Sequence, residues 1–159
     1  MNNSKNKLAF VIGGFGKIGS SIVQKFLDKN IKVVVLDINI EKKKSNKIIA
    51  HRFDLRKIDQ IEKNLLKCFK KYGCPNILVN TSYPITKRWS KINYTNLKLS
   101  ELRKNVDIHL NSTAWCSIVS AREMQKQRIK GSIIFINSIY GALGQDKNLY
   151  KKTSININP

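Results

Sequence analysis

The sequence is short of acidic residues, cysteine and long apolar runs, and each shortage excludes a class of protein. The three cysteines, Cys68, Cys74 and Cys116, form neither a CxxC pair nor a metal-ligand set with His51 or His109. This irregular, odd-numbered set argues against a disulfide framework and a metal site, and it indicates a reducing compartment. No apolar run approaches the roughly 20 residues of a membrane span, and the polar N-terminus does not resemble a signal peptide. We therefore expect a cytoplasmic protein without a membrane partner.

The charge is strongly one-sided, with ten Asp and Glu against thirty Lys and Arg and a formal net charge of +20 in 159 residues. Such an excess would suggest a nucleic-acid partner. The lysines are scattered from Lys5 to Lys152, however, with one dense run at Lys42-Lys43-Lys44. This distribution argues against nucleic-acid binding and is more typical of an organism-wide compositional bias toward lysine. Hydrophobic residues make up 42%, so residues 1–159 are expected to form a single domain with one core.

Apolar runs alternate with helical patterns along the chain. The runs that predict strands are Leu8 to Ile12, Ile31 to Asp37, Ile48 to Asp54, Asn76 to Asn80 and Gly131 to Ser138. Apolar residues at helical spacing predict helices that end near Asn30 and Gly73, and a long helix from Ser100, as N-cap, to about Arg128. Strands and helices in this alternation form βαβ units, so the pattern predicts a parallel sheet with helices on both faces.

A glycine-rich segment, Gly13-Gly14-Phe15-Gly16-Lys17-Ile18-Gly19, links the first strand to the first helix. Its glycines satisfy the pattern G-x-G-x-x-G, which allows a tight turn and a close approach of the backbone to a pyrophosphate. The helix that follows offers its free N–H groups and its positive dipole end to the anion. We therefore predict that Gly13, Gly14, Phe15, Gly16, Lys17, Ile18 and Gly19 bind a dinucleotide.

Two aspartates end neighbouring predicted strands and are candidates for the adenosine half of that site. Asp37 lies 18 residues after Gly19, where a carboxylate can accept hydrogen bonds from the ribose hydroxyls and favour NAD over NADP. Lys42 to Lys44 could still tolerate a 2′-phosphate. Asp54, followed by Leu55, would lie near the adenine. For both aspartates the alternative interpretation is a turn residue.

In this order, the glycine loop, Asp37, Asp54-Leu55, the strand end with Asn80-Thr81 and Ser138 resemble the short-chain dehydrogenase/reductase family. The resemblance implies an α/β fold, a Rossmann-type doubly wound parallel sheet that is incomplete here, with about five strands in the order 3-2-1-4-5. It also implies that Asn80, Thr81 and Ser82, which stand where the family has Asn-Asn-Ala-Gly, line the cofactor site. Ile12 replaces the threonine of the family, so we expect one side-chain hydrogen bond to be absent.

Three segments resemble a bacterial branch linked to flagellin modification and surface-polysaccharide sugar biosynthesis. These are Thr81-Ser82-Tyr83-Pro84, Asn105 to Asn111, and Ser138-Ile139-Tyr140-Gly141. The branch implies a small-molecule substrate, namely a sugar or nucleotide-sugar hydroxyl or ketone.

The resemblance assigns catalytic positions to Ser138, which would orient the substrate, and to His109, which falls where the family has a helix asparagine. His109 could carry a relay proton or be an interior histidine, and Ser138 could instead be a strand-end hydroxyl. The Tyr-x-x-x-Lys motif of the family is missing beyond Ser138, since the residues four places after Tyr140 and Tyr150 are glycine and serine. Tyr150 is therefore predicted to be a loop residue.

These observations lead to three hypotheses. The first is an NAD-preferring oxidoreductase represented by a truncated and inactive chain, whose active-site helix would begin beyond Pro159 and whose fifth strand would be an uncovered edge. Its full-length form could be a homo-oligomer. The second is a non-catalytic dinucleotide-binding module or subunit partner. The third is a basic nucleic-acid-binding protein, whose affinity would fall steeply with salt.

Overall fold

The first strand of the chain lies at the centre of a five-stranded parallel sheet. The computed structural model describes residues 7–43, 45–86, 88–93, 95–144 and 146–153. Its strands are β1 (Leu8–Ile12), β2 (Lys32–Asp37), β3 (Ile48–Arg52), β4 (Ile77–Asn80) and β5 (Ser132–Phe135). They are arranged in the order β3-β2-β1-β4-β5. The predicted fold class and strand order are confirmed.

Helices cover both faces of this sheet because successive side chains of a strand point to opposite faces. The helices are α1 (Lys17–Asp28), α2 (Ile61–Tyr72), α3 (Leu99–Val106) and α4 (Ser112–Lys126). In β1, Phe10 and Ile12 belong to a large core that also contains residues of α2 and α4. Val11, between them, belongs to a smaller core with Val23 of α1. Every residue of β1 is buried, as expected for a central strand with helices on both sides.

The polar ends of β2 and β4 meet at the carboxyl edge of the sheet, on either side of β1. Ile12 pairs with Leu36 of β2 and with Asn80 of β4. Asp37 and Asn80 are nevertheless only 8% and 4% exposed, so each needs hydrogen-bond partners within the fold. Crevices at this edge are where open α/β sheets bind their ligands.

The predicted long helix is wrong in two respects. Ser100 is not its N-cap: the helix begins at Leu99, and the Glu101 carboxylate accepts a hydrogen bond from the Lys98 N–H. The helix is also interrupted, because a π-helical turn, Asp107–Asn111, separates α3 from α4. Such a turn inserts an extra residue into the helix and often marks a functional position.

Two strands end earlier than predicted because polar side chains at their ends form turns. β3 ends at Arg52, and the Asp54 carboxylate then accepts the N–H of Arg56 at 3.0 Å. β5 ends at Phe135, and the Ser138 hydroxyl accepts the N–H of Tyr140 at 3.2 Å. Local side-chain bonds of this kind compete with strand pairing.

The last strand, β5, pairs with β4 and has no second neighbour among the described residues. Its Ile134 and Phe135 are 44% and 41% exposed. This edge offers unpaired backbone groups and apolar side chains, which is the arrangement that permits pairing with another strand. Within the described segments, no helix has the length and apolarity needed to cross a membrane.

Adjacent leucines of α2 provide a test of the larger core. Leu65 is fully buried, whereas Leu66 is 38% exposed. We expect Leu65→Ala to lower the free energy of unfolding by about 2–5 kcal/mol, because it removes buried methyl groups and leaves a cavity. Leu66→Ala is the matched control and should cost less than about 1 kcal/mol. Urea unfolding of both variants measures the difference, and equal losses would contradict this assignment of the core.

Candidate functional site

The backbone turns sharply where β1 ends, and glycine is required at that point. Gly13 has a φ of +73°, a conformation that residues with a Cβ adopt at a cost. Its N–H donates to the Leu36 carbonyl at 2.8 Å. A Cβ on Gly13 would lie 2.8 Å from the Ser82 Cα. The turn is therefore pressed between the ends of β2 and β4.

Further along the loop, missing side chains allow α1 to pack closely. A Cβ on Gly19 would lie 2.7 Å from the Thr81 Oγ1, and one on Gly14 would lie 2.8 Å from a methyl carbon of Val35. The absence of a Cβ at Gly14 lets the loop pack against the sheet, and its absence at Gly19 lets α1 pack against the loop. The exposed start of α1 carries Lys17 and Ile18, and the Ile18 side chain is 54% exposed.

Thr81 connects the loop to β4. Its hydroxyl oxygen lies 3.0 Å from the Ile12 carbonyl oxygen and 3.1 Å from that of Gly13, and its N–H donates to the Ile12 carbonyl at 2.9 Å. The sequence predicts the loss of a side-chain hydrogen bond at this turn, because isoleucine occupies position 12. In the structure, the hydroxyl of Thr81, directly after the neighbouring strand β4, provides a side-chain hydrogen bond at this turn.

The Asp37 carboxylate fixes the other side of the loop. Its Oδ2 accepts the Phe15 N–H and its Oδ1 accepts the Asn39 N–H, each at 3.0 Å. A carboxylate oxygen has two acceptor sites, so each oxygen retains capacity for a further donor. Asp37 is therefore a turn residue with free acceptor capacity, and its role as a ligand of ribose stays a prediction.

A cavity of about 310 Å³ opens beside these groups at the carboxyl edge of the sheet. Most of the predicted cofactor residues line it, namely Gly13, Phe15, Gly16, Asp37, Asp54, Leu55, Thr81 and Ser82. Lys42, which could tolerate a 2′-phosphate, also lines it, as do Phe53, Arg56 and Tyr83, which the sequence does not identify as cofactor residues. The cavity thus has apolar walls and a few polar groups, as is usual for small-molecule sites.

Asn80 connects the cavity-lining residue Ser82 to α4. It is 4% exposed, and its Nδ2 donates to the Thr113 Oγ1 of α4 at 3.1 Å. Its Oδ1 accepts the Ser82 N–H at 3.0 Å and also the Ser82 hydroxyl. Asn80 therefore ties the loop after β4 to the helix that follows the π-helical turn.

Asp54 lines the cavity but is held by a neighbour. Its two carboxylate oxygens lie 2.8 Å and 2.9 Å from the guanidinium nitrogens of Arg56. This paired contact lowers the pKa of Asp54, so the carboxylate stays charged. Asp54 is thus a turn residue that also forms part of the cavity wall, and its place near the adenine stays a prediction.

His109 lies within the π-helical turn, stacked against a tyrosine. The imidazole and the Tyr83 ring have centroids 4.6 Å apart and planes inclined by 36°. The Nε2 atom of His109 is buried and has no hydrogen-bond partner within the described part of the chain. Burial lowers the pKa of His109 below its ordinary value of about 6.5. The imidazole is consequently neutral at pH 7.

Ser138 and Tyr150 lie in exposed segments after β5. Ser138 caps a short 3₁₀ turn, Ile139–Gly141, and Tyr150 ends another, Lys147–Tyr150. A hydrogen bond with Tyr140 raises the pKa of Tyr150, and Tyr83 also acts on it. Tyr150 therefore lies next to Tyr140 in the structure. No periodic pattern in the sequence indicates this contact.

The cavity residues fit a dinucleotide. Gly13 and Gly16 line it without side chains, the N-terminus of α1 follows directly, and the carboxylate of Asp37 lies at the loop. A glycine turn, a helix N-terminus and an acidic residue at the end of β2 are the parts that bind pyrophosphate and ribose in Rossmann-type sheets.

Comparison with known proteins gives the family. The model for short chain dehydrogenases matches residues 7–150, which include both the glycine loop and Ser138. The chain belongs to the short-chain dehydrogenase family. It is 26% identical to the Post-translational flagellin modification protein A of Campylobacter coli, over 95% of this chain and 62% of that protein. This likeness agrees with the branch to which the sequence points.

Solved structures share the fold. A short chain dehydrogenase from Leptospira borgpetersenii with bound NAD⁺ has a TM-score of 0.76 and 25% identity, over 92% of this chain and 57% of that one. The ligand-free aldohexose dehydrogenase of Thermoplasma acidophilum has a TM-score of 0.74 and 26% identity, over 92% and 54%. ElxO with bound NADP, at 24% identity over 90% and 60%, has a TM-score of 0.72 and shows the fold alone. The chain thus spans about three-fifths of the length of these proteins.

Alanine substitutions at two glycines test the turn after β1. We expect Gly13→Ala to lower the free energy of unfolding by about 1–3 kcal/mol, because it combines a positive φ with contact to the Ser82 backbone. A Cβ on Gly144 would meet nothing within 4 Å, so Gly144→Ala should change it by less than about 0.5 kcal/mol. Chemical unfolding provides the measurement, and a Gly13→Ala variant as stable as the control would refute the packing argument.

Proposed function

We propose that this chain forms the dinucleotide-binding part of an NAD-dependent oxidoreductase that acts on a sugar or nucleotide-sugar hydroxyl or ketone. The observation that carries the proposal is the Asp37 carboxylate, which lines the cavity and is bonded to the N–H of Phe15 in the glycine loop. This arrangement supports the proposal, because a carboxylate beside the loop that would hold the pyrophosphate can accept hydrogen bonds from ribose hydroxyls.

The charges around Asp37 favour NAD over NADP. A 2′-phosphate would be repelled by the carboxylate, and it would need a cation as counter-charge. Arg56 lines the cavity but is paired with Asp54, so its charge is already compensated. Among the described residues, Lys42 is the other lysine or arginine that lines the cavity, and Lys44 of the same run lies outside those residues. One lysine on a short 3₁₀ turn, Ile40–Lys42, is a weaker phosphate site than a free arginine.

Bound NAD would supply the hydride acceptor or donor, and the chain would supply groups for proton transfer and for orientation of the substrate. His109 is neutral at pH 7 and can accept or pass on a proton. The hydroxyl of Ser138 stands at the carboxyl end of β5 and can hydrogen-bond a substrate oxygen. We assign the proton relay to His109 and the orientation of substrate to Ser138, in the positions that the family resemblance gives them.

The proposed substrate class rests on the relatives. One is named for flagellin modification and another is an aldohexose dehydrogenase. The second name agrees with a substrate that carries sugar hydroxyls, and the first agrees with the bacterial branch that implies such a substrate.

The proposed cytoplasmic location rests on the thiols, since Cys68, Cys74 and Cys116 are all free and buried. Burial raises the pKa of Cys68 and Cys74 to about 11 and that of Cys116 to about 12.

Turnover needs a proton donor whose pKa is near the working pH. The hydrogen bond with Tyr140 raises the pKa of Tyr150, which moves it further above a working pH near 7. Beyond Ser138, no lysine lies four places after a tyrosine to lower the pKa of its phenol. This observation favours the second candidate function, a dinucleotide-binding module that does not itself complete hydride transfer.

Calorimetric titration with NAD and NADP tests the cofactor assignment. We expect saturable binding of NAD, weaker binding of NADP, and a loss of NAD affinity of about 10- to 100-fold in Asp37→Ala, as expected for a hydrogen bond to a charged group. Asp59→Asn changes an exposed carboxylate outside this cavity and should leave the affinity unchanged. Equal affinities for both dinucleotides in the wild-type chain would rule out the proposed preference.

Turnover is tested separately on the same 159-residue chain. We expect no steady oxidation of NADH in the presence of sugar or nucleotide-sugar ketones, followed by its absorbance, at concentrations that saturate the dinucleotide site. Steady turnover that disappears in Ser138→Ala would instead identify a complete catalytic centre in these residues.

A further inference from the structure

Tyr83 is in contact with both the dinucleotide cavity and the candidate relay residue. It lines the cavity together with Thr81 and Ser82, and its ring lies 4.6 Å, centroid to centroid, from the imidazole of His109. His109 itself does not line the cavity. Among the described residues, Tyr83 is thus a direct physical link between the two.

The segment that carries Tyr83 is anchored to the helix beyond His109. Ser82 donates through its N–H and its hydroxyl to the Asn80 Oδ1, and the Asn80 Nδ2 donates to the Thr113 Oγ1 of α4. These bonds hold the loop after β4 at a fixed distance from the π-helical turn. The residue before Tyr83 and the helix that follows His109 are therefore connected through Asn80.

The imidazole has one nitrogen without a hydrogen-bond partner among the described residues. Its Nε2 is buried and, within the described residues, has no hydrogen-bond partner. Buried polar atoms without partners are rare and call for an explanation such as a catalytic role. The Tyr83 ring is inclined by 36° to the imidazole and packs against it without a hydrogen bond to this nitrogen.

We propose that Tyr83 is a positioning residue that holds the imidazole of His109 by ring stacking and couples it to the dinucleotide cavity. The inference rests on the proposed function, since it gives His109 a role toward a bound dinucleotide and its substrate. A ligand that contacts Tyr83 in the cavity would shift the stacked pair and so change the surroundings of His109. The contact with the imidazole is made by the aromatic ring at position 83.

Proton NMR of the full 159-residue chain tests this inference, because the chain has two histidines and each lies against a tyrosine. His51 is in edge contact with Tyr72, with centroids 5.9 Å apart, and serves as the internal reference. Loss of signals in His109→Gln assigns the His109 ring protons. The variants are Tyr83→Leu, which removes the ring, and Tyr83→Phe, which keeps it, with Tyr72→Leu as the matched control.

In the absence of ligand, we expect Tyr83→Leu to remove the ring-current shift of the His109 protons and to leave His51 unchanged. Tyr83→Phe should retain that shift, and Tyr72→Leu should move the His51 signals alone. Because Tyr83 is 62% exposed, Tyr83→Leu should keep the unfolding midpoint of the parent chain. His109 signals that are the same in Tyr83→Leu and in the parent would overturn the positioning role.

Titration with NAD tests the coupling. We expect NAD to shift the His109 signals in the parent and in Tyr83→Phe, with the shift lost in Tyr83→Leu. Calorimetry on the same samples separates the two ways of failing. Binding of NAD without any shift at His109 overturns the coupling and leaves the proposed function intact, whereas absence of NAD binding overturns both.

Discussion

The close approach of the glycine turn to the end of β4 is the constraint on which the site depends. Gly13 adopts a φ of +73° with its Cα against the backbone of Ser82, and Thr81 bonds back to the carbonyl groups of the turn. The turn cannot move without separating β1 from β4. The cavity, the start of α1 and the loop that carries Tyr83 all take their positions from this contact.

The overall fold follows from local sequence patterns because burial on two sides leaves a strong signal. Leu8 to Ile12 is continuously apolar and is bounded by glycine, and the structure gives β1 the same limits. Strand ends are harder to predict, since Asp54 and Ser138 end their strands by bonding to the backbone two residues on. The π-helical turn at Asp107–Asn111 is not predictable from periodicity, because its neighbours on both sides have helical spacing.

The candidate site is predictable where the chemistry resides in short motifs. The glycine loop and Asp37 meet as the motif indicates, with a bond from the Phe15 N–H. The rest depends on pairs far apart in sequence, such as Tyr83 with His109. Tyr83 had one usable signal, its position just after a buried strand at the carboxyl edge of the sheet. The ion pair of Arg56 with Asp54 joins residues only two apart, but a charge pattern of this kind occurs in many exposed turns without a contact.

The central position of β1 has a consequence for synthesis of the protein. Ribosomes make β1 before either neighbour, and its second neighbour, β4, is complete only at Asn80. At about 5–20 residues per second, the most apolar strand waits several seconds with one edge open. Nascent chains that carry many lysines repel one another, and this repulsion disfavours association during the interval. As far as Asn80, the chain already carries seventeen Lys and Arg against six Asp and Glu, so this repulsion acts on the unfinished chain before the cavity forms.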